Sequence, residues 1–181
     1  DDADLIFFLI DIDHFKGIND THGHAAGDAV LTQMRSRLQL VFREADHLVR
    51  WGGEEFLIVA RATSRQHAAE LAERARTMVA DTPFKLPGGR TVRSTCSVGF
   101  ACFPLATAQP RAVDWSATIA LADSALFAAK AAGRNGWMGV QGVQGGGADL
   151  DAEALQALAP RTLAQWADIA PLDVVASQDR D

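Results

Sequence analysis

The run Leu5-Ile6-Phe7-Phe8-Leu9-Ile10, closed by Asp11-Ile12-Asp13, constrains this chain more than any other stretch. Consecutive large apolar side chains project to both faces of a strand, so this strand belongs inside a sheet that is covered on both sides. Its acidic end then projects where a buried element meets a loop. Two carboxylates there suit a hard cation, because magnesium takes one or two carboxylates and completes its shell with water and phosphate oxygens. They also suit a solvated strand end, since acids are common at turns.

The rest of the chain reads as elements laid around that strand. Asn19 to Gly27 is rich in Gly, His and polar residues and is expected as a loop. Asp28 then caps a helix in which Val30, Leu31, Met34, Leu38, Val41 and Phe42 recur at helical spacing. His47–Trp51 and Phe56–Ala60 are apolar segments joined around Gly52-Gly53, a pair able to take the positive φ angles of a tight hairpin. A helix is expected from about Arg65 to Val79, closed by Pro83. Phe84 to Pro104 folds back around Pro87-Gly88-Gly89 and continues as a long strand through Val92 and Val98. Ala117–Ala131 is a helix ended by Gly133, and a short strand follows near Trp137–Val140. This order predicts an α+β fold, a palm-like mixed, mostly antiparallel central sheet surrounded by helices. Residues 1–141 form that domain, 142–148 a glycine-rich linker, and 149–181 a helical tail around Pro160 with Leu155, Leu158, Leu163 and Trp166 as contacts. No mechanism is assigned to the tail.

Composition removes several functions. The chain has 181 residues and a formal net charge of −6 with 17 basic residues, which argues against a general nucleic-acid binder. An acidic protein still binds a nucleotide if cations offset its carboxylates locally. Cys96 and Cys102 share one face of a strand and read as buried thiols, in keeping with a reducing, cytoplasmic setting. No signal peptide or membrane span is visible, so no membrane contact is expected of this chain, and any membrane tether would lie in another region. The start at Asp1, without an initiator Met, suggests a piece of a longer protein.

The second acidic constellation is Arg50-Trp51-Gly52-Gly53-Glu54-Glu55-Phe56. If this hairpin lies beside the first strand, Glu54 comes close to Asp11, and the converging carboxylates repel one another unless a cation joins them. The alternative is an ordinary hairpin with exposed acids. His14, His22 and His24 fit no zinc pattern.

Taken together, Asp11-x-Asp13-x-Phe15-Lys16-x-x-Asn19-Asp20, Gly23-His24-x-x-Gly27-Asp28, Gly52-Gly53-Glu54-Glu55-Phe56 and Ala122-Asp123-x-Ala125-Leu126-Phe127-x-Ala129-Lys130-x-x-Gly133-Arg134-Asn135 closely resemble the GGDEF family of diguanylate cyclases. The resemblance covers Leu5 to Val140. It implies condensation of two GTP into cyclic di-GMP and pyrophosphate, by attack of a ribose 3′-hydroxyl on an α-phosphate, with two Mg2+ or Mn2+ ions per site. It makes Asp11, Glu54 and the Ile12 carbonyl metal ligands and Glu55 a candidate proton acceptor. It places His14, Phe15 and Lys16 near the substrate, with Lys16, Lys130 and Arg134 on phosphates. Lys130 and Arg134, spaced i, i+4, would share one side of the last helix, whose C-terminal end favours cations in any case. Asn19 and Asp28 match guanine-reading positions, a role that competes with the Asp28 helix cap.

The resemblance also implies control and assembly. Arg43-x-x-Asp46, with Arg74 on the next helix, matches the family's inhibitory site for cyclic di-GMP, although a second such motif, Arg111 to Asp114, warns that the pattern is common. A two-fold product implies a homodimer during turnover. The chain departs from the family in lacking the usual D-x-L-T-G-L-x-N-R segment at its start. Two rivals are a catalytically silent module that binds GTP or cyclic di-GMP, and a cyclase acting on another purine.

Overall fold

The structure is a computed structural model that describes residues 4–149, 151, 153, 163, 165 and 171–177. Its central sheet has the order β2-β3-β1-β6-β7-β8. The strands are β1 (Leu5–Ile12), β2 (His47–Arg50), β3 (Glu55–Ala60), β6 (Cys96–Phe103), β7 (Trp137–Val143) and β8 (Leu172–Ala176). Only β6 and β7 run parallel, joined across the helix α4 (Trp115–Ala131); the other pairs are antiparallel. Short strands β4 (Phe84–Lys85) and β5 (Thr91–Val92) form a separate ribbon. The expected α+β architecture is the one observed.

β1 is the middle of this arrangement, as its apolar run requires. It pairs with β3 from Ile6–Ala60 to Asp11–Glu55 and with β6 from Leu5–Phe103 to Ile12–Cys96. Its alternation feeds two cores. Ile6, Phe8, Ile10 and Ile12 pack with Phe56, Ile58 and the helices α1 (Phe15–His22), α2 (His24–Val41) and α3 (Ala68–Ala80). Phe7 and Leu9 pack on the other face with Leu57 and with Leu121, Ala122 and Leu126 of α4. Burial of each such large side chain is worth about 1.5–3 kcal/mol, so the strand's end is held by a rigid frame. α4 lies close on β6 because position 99 is glycine: a Cβ there would stand 2.2 Å from the Ala122 carbonyl oxygen and the Leu126 nitrogen.

Four expectations are corrected. Asn19–Gly27 is not a loop, because α1 runs through His22 and α2 begins at His24, with Gly23 (φ 89°) between them. Asp28 therefore lies inside α2 and caps nothing; Gly23 holds the cap position. The glycine-rich stretch is not a free linker either. Gly142 belongs to β7, and Gly145, Gly146 and Gly147 take left-handed angles in a tight turn held by Ala108 N–H on the Gly146 carbonyl and Gln144 N–H on the Pro171 carbonyl. Beyond it, β8 extends the sheet, where only helices were expected. Leu163 is helical and borders the α4-side core, while Leu155, Leu158 and Trp166 lie outside the described residues.

Cys96 and Cys102 are buried free thiols, and burial raises both thiol pKa values. Among the described residues, no helix is long and apolar enough to cross a membrane.

Candidate active site

The end of β1 and the turn before β3 bring the acids together. Asp11 stands opposite Glu55, and the next ladder bond runs from Ile12 N–H to the Glu54 carbonyl (3.3 Å). Residues opposite one another share a face, so Asp11 and Glu55 lie on the α4 side, whereas Glu54 lines a cleft on the α1–α2 side. Glu54 was expected close to Asp11, and its charge does act on the Asp11 carboxyl, while the residue paired with Asp11 in the register is Glu55.

The electrostatics follow from this packing. Burial first, then the charges of Glu54 and Asp13, raise the Asp11 carboxyl above its ordinary 3.8, against the Lys130 ammonium that lowers it. Glu55 is also raised above its ordinary 4.5, by burial and then by Asp123, Asp11 and Glu54. Lys130 Nζ, from the last turn of α4, lies 3.0 Å from Asp11 Oδ2. Asp13, the other acid of the strand end, is spent on structure. It accepts from Thr95 Oγ1 (2.6 Å), Ser97 Oγ (2.7 Å) and the Asn135 N–H (3.0 Å), and these bonds leave it no part in holding a cation.

The cleft beside Glu54 has a volume of about 410 Å3 and is lined by Phe15, Lys16, Asn19, His24, Asp28 and Arg50, among others. Asn19 reaches it because α1 and α2 touch at a glycine: a Cβ at Gly27 would stand 1.9 Å from Asn19 Oδ1 and 3.1 Å from Phe15 Cζ. The Asp28 carboxylate makes no hydrogen bond among the described residues, so both its oxygens are available. His14 does not line the cleft. It sits in the left-handed region (φ 56°) at the start of α1, whose first N–H groups have no partner within the helix. His22 and His24 form no metal cluster, and among the described residues no three His, Cys, Asp or Glu side chains converge on one ion.

The sequence reading missed Arg50. Its guanidinium donates to the carbonyls of Gly52 (3.3 Å) and Gly53 (3.1 and 2.7 Å), gripping the turn that presents Glu54. It also missed Asp123, whose charge acts on Glu55 from α4. Arg134 lies beyond the end of α4 in a left-handed conformation (φ 64°), so it and Lys130 do not share a helix face as their spacing suggested.

Arg43, Asp46 and Arg74 line one separate cleft of about 450 Å3, together with Leu40, Thr63, His67 and Glu70. Asp46 is already engaged there, accepting from the N–H groups of Arg43 (2.9 Å) and Arg61 (3.0 Å). The rival motif at Arg111 has a local explanation. Asp114 is the N-cap of α4 and accepts from the Ala117 N–H at 2.7 Å.

A family model described as diguanylate cyclase, GGDEF domain, matches residues 1–136. The chain belongs to the GGDEF domain family. This GGDEF domain is 42% identical over 135 residues to diguanylate cyclase DgcP of Pseudomonas aeruginosa, covering 75% of this chain and 19% of that protein. It is 37% identical over 131 residues to diguanylate cyclase DosC of Escherichia coli, covering 72% of this chain and 27% of that one. The GGDEF domain thus spans a minor part of the curated relatives it matches. Among solved structures, the GGDEF domain of YfiN (TpbB) from Pseudomonas aeruginosa matches with a TM-score of 0.66 at 34% identity, covering 74% of both chains. The GGDEF domain of DgcB from Caulobacter crescentus, solved in complex with c-di-GMP, matches with a TM-score of 0.66 at 31% identity, covering 74% of this chain and 73% of that one.

Proposed function

We propose that this GGDEF domain is the catalytic unit of a diguanylate cyclase, in which two copies, each holding one GTP, face each other and close cyclic di-GMP. One observation carries the reading: the cleft that displays Lys16, Asn19 and an unengaged Asp28 is walled by Glu54, at the sheet end where Asp11 and Glu55 stand opposite each other. Guanine presents its N1–H and N2–H side by side, and the free Asp28 carboxylate accepts both, with Asn19 beside it. The phosphates then run toward Lys16 and the start of α1, where the N–H groups of Phe15 and Lys16 favour an anion, those of Gly17 and Ile18 being taken by the His14 carbonyl. Lys130 and Arg134 contribute positive charge from the α4 side.

The donor set fits a hard cation. Asp11 and Glu54 are hard oxygen donors, the Ile12 carbonyl is adjacent, and a divalent ion would offset both the burial that chiefly raises Asp11 and the charges of Glu54 and Asp13 that add to it. Mg2+ or Mn2+ held there, two per site, would neutralise the phosphates and lower the pKa of the attacking hydroxyl. In each half-reaction the 3′-hydroxyl oxygen of one GTP bonds to the α-phosphorus of the other, the bond to pyrophosphate breaks, and the hydroxyl proton leaves. Glu55, whose carboxyl is raised above its ordinary 4.5 chiefly by burial, would accept that proton. Both copies perform the step once, so a homodimer is needed for turnover. Cyclic di-GMP returning to the Arg43, Asp46 and Arg74 cleft would restrain the enzyme.

A catalytically silent GTP or cyclic di-GMP receptor would be expected to lack Asp11 or Glu54, and both are present. The test is incubation of the chain with GTP and Mg2+, and in parallel with ATP, with products identified by mass spectrometry. Cyclic di-GMP from GTP alone, lost in Glu54→Gln, is the expected result. A cyclic product from ATP, or undiminished turnover in Glu54→Gln, would remove the assignment.

A further inference from the structure

Lys130 binds the carboxylate that the proposed function assigns to a metal ion, and its ammonium lies 3.0 Å from Asp11 Oδ2 with the Asp11 side chain 13% exposed. We propose that Lys130 is a built-in stand-in for the divalent cation, and that its departure from Asp11 to the nucleotide phosphates makes metal and GTP bind as a linked pair. The inference rests on the reading of Asp11 as a metal-binding carboxylate.

The argument starts from charge. Asp11 sits within reach of the charges of Glu54 and Asp13, and Glu55 opposite it feels Asp123 and Glu54 as well. An acidic pocket of this kind is costly without a counter-charge, and Lys130 offsets both Asp11 and Glu55. An oxygen that already carries an ammonium cannot also take a divalent ion without setting two cations side by side. Lys130 engages Oδ2 alone, so a metal at Asp11 is opposed by the neighbouring ammonium while Lys130 stays and is favoured once Lys130 moves.

The fold allows that movement. Lys130 lies in the last turn of α4, its side chain is 32% exposed, and Asp11 is its ion-pair partner among the described residues. A flexible four-carbon stem carrying a compact charge can swing without shifting the backbone. The triphosphate provides the place to go, since it carries more negative charge than the single carboxylate left behind. Each ligand thus lowers the cost of binding the other, and the linkage is reciprocal. A lysine that only contacted phosphate would support nucleotide affinity and leave metal binding alone untouched.

Mn2+ serves as the probe, with free ion counted by electron paramagnetic resonance on the whole chain, first without nucleotide and then with a non-reacting GTP analogue. In Lys130→Met, Mn2+ alone should bind about tenfold tighter than in the wild type, and the gain from adding the analogue should shrink by a similar factor, within the range that coupling between sites spans. Lys130→Arg should act the other way, because its planar fork grips Asp11 with two donors and excludes Mn2+ more strongly. If Lys130→Met fails to fold, the arginine variant decides alone. Asp11→Asn separates the two levels of the argument. Loss of Mn2+ binding in Asp11→Asn with analogue present, but no change in Mn2+-only affinity in either lysine variant, keeps the metal site and overturns the stand-in. Mn2+ binding that survives Asp11→Asn overturns both.

Discussion

Asp11 and Glu55 face each other across the antiparallel register of β1 and β3, two carboxylates on one side of a sheet end and both raised above their ordinary pKa. A carboxyl raised in the folded state binds its proton more tightly there than in the unfolded chain. Its contribution to stability is therefore fully present below the ordinary carboxylate range and is lost as pH rises through the folded value. Glu55→Gln removes one of the pair while leaving Asp11 with Lys130. Its melting temperature should exceed that of the wild type at pH 7, by about 2–4 °C for each kcal/mol of charge burial and repulsion relieved, and the two curves should converge as pH falls below the ordinary carboxylate range. Calorimetry across pH checks this. A constant difference at every pH would show that packing, and not charge, is responsible.

Gly27→Ala should separate binding from stability. The added Cβ would occupy the place of Asn19 Oδ1, the free end of a side chain that can move aside, while alanine gains roughly 1 kcal/mol of helix propensity over glycine. The variant should melt no lower than the wild type, yet bind GTP about tenfold more weakly, as expected for one displaced hydrogen bond. Isothermal titration and thermal melts together read both effects.

Arg50→Lys keeps the charge but loses the fork that grips the carbonyls of Gly52 and Gly53. Trp51 and Gly52 N–H groups both bond to the Glu55 carbonyl, at 2.8 and 3.2 Å, and should exchange with deuterium faster once the turn loosens. Cyclic di-GMP formation should fall by roughly tenfold or more, equivalent to about 1.4 kcal/mol in the barrier, with the melting point nearly unchanged. Unaltered exchange at these two amides would show that Arg50 acts on substrate and not on the turn.

The cleft of Arg43, Asp46 and Arg74 offers a contrast between two of its residues. Asp46 holds the N–H groups of Arg43 and Arg61, whereas Arg74 is exposed on α3. Asp46→Ala should cost about 1–2 kcal/mol in urea unfolding, and Arg74→Ala should stay within about 0.5 kcal/mol of the wild type. Both should relieve inhibition by added cyclic di-GMP. Relief in one alone would mean that the cleft is not a single site.

What could be read from the chain and what could not divide along physical lines. The apolar run of β1 and the Gly-Gly turn are local signals, and both led to the right elements, although neither Gly52 nor Gly53 takes the positive φ the sequence suggested. Which glutamate faces Asp11 was not legible, because a shift of one residue in register exchanges the two faces of a strand. α1 was missed because only Phe15 and Ile18 of its eight residues are buried, too few to mark a helical period. The part played by Asp13 depends on partners 82, 84 and 122 residues away, a separation that no local pattern reports. β8 was hidden for a related reason: Leu172 is its only buried residue, as befits an edge strand.

That edge strand carries the last prediction. Ser177, just past β8, binds Trp137 three times: its N–H (2.9 Å) and its Oγ–H (3.4 Å) donate to the Trp137 carbonyl, and Oγ accepts the Trp137 N–H (3.1 Å). Trp137 in turn donates from Nε1 to Glu73, which pairs with the buried Arg76, and Arg76 holds Asn135 beside Asp13. Removing residues 149–181 would strip the ladder from β7 and expose the pocket of Leu172, whose burial alone is worth about 1.5–3 kcal/mol. The shortened chain should unfold at lower urea and associate as its concentration rises, since a bare strand edge is a template for pairing. Ser177→Ala, which deletes the hydroxyl as acceptor and donor but leaves the ladder, should cost about 1 kcal/mol and stay unassociated. Urea midpoints and sedimentation velocity distinguish these outcomes. If the shortened chain matched the wild type in both, the sheet would be complete at β7 and β8 an ornament to it.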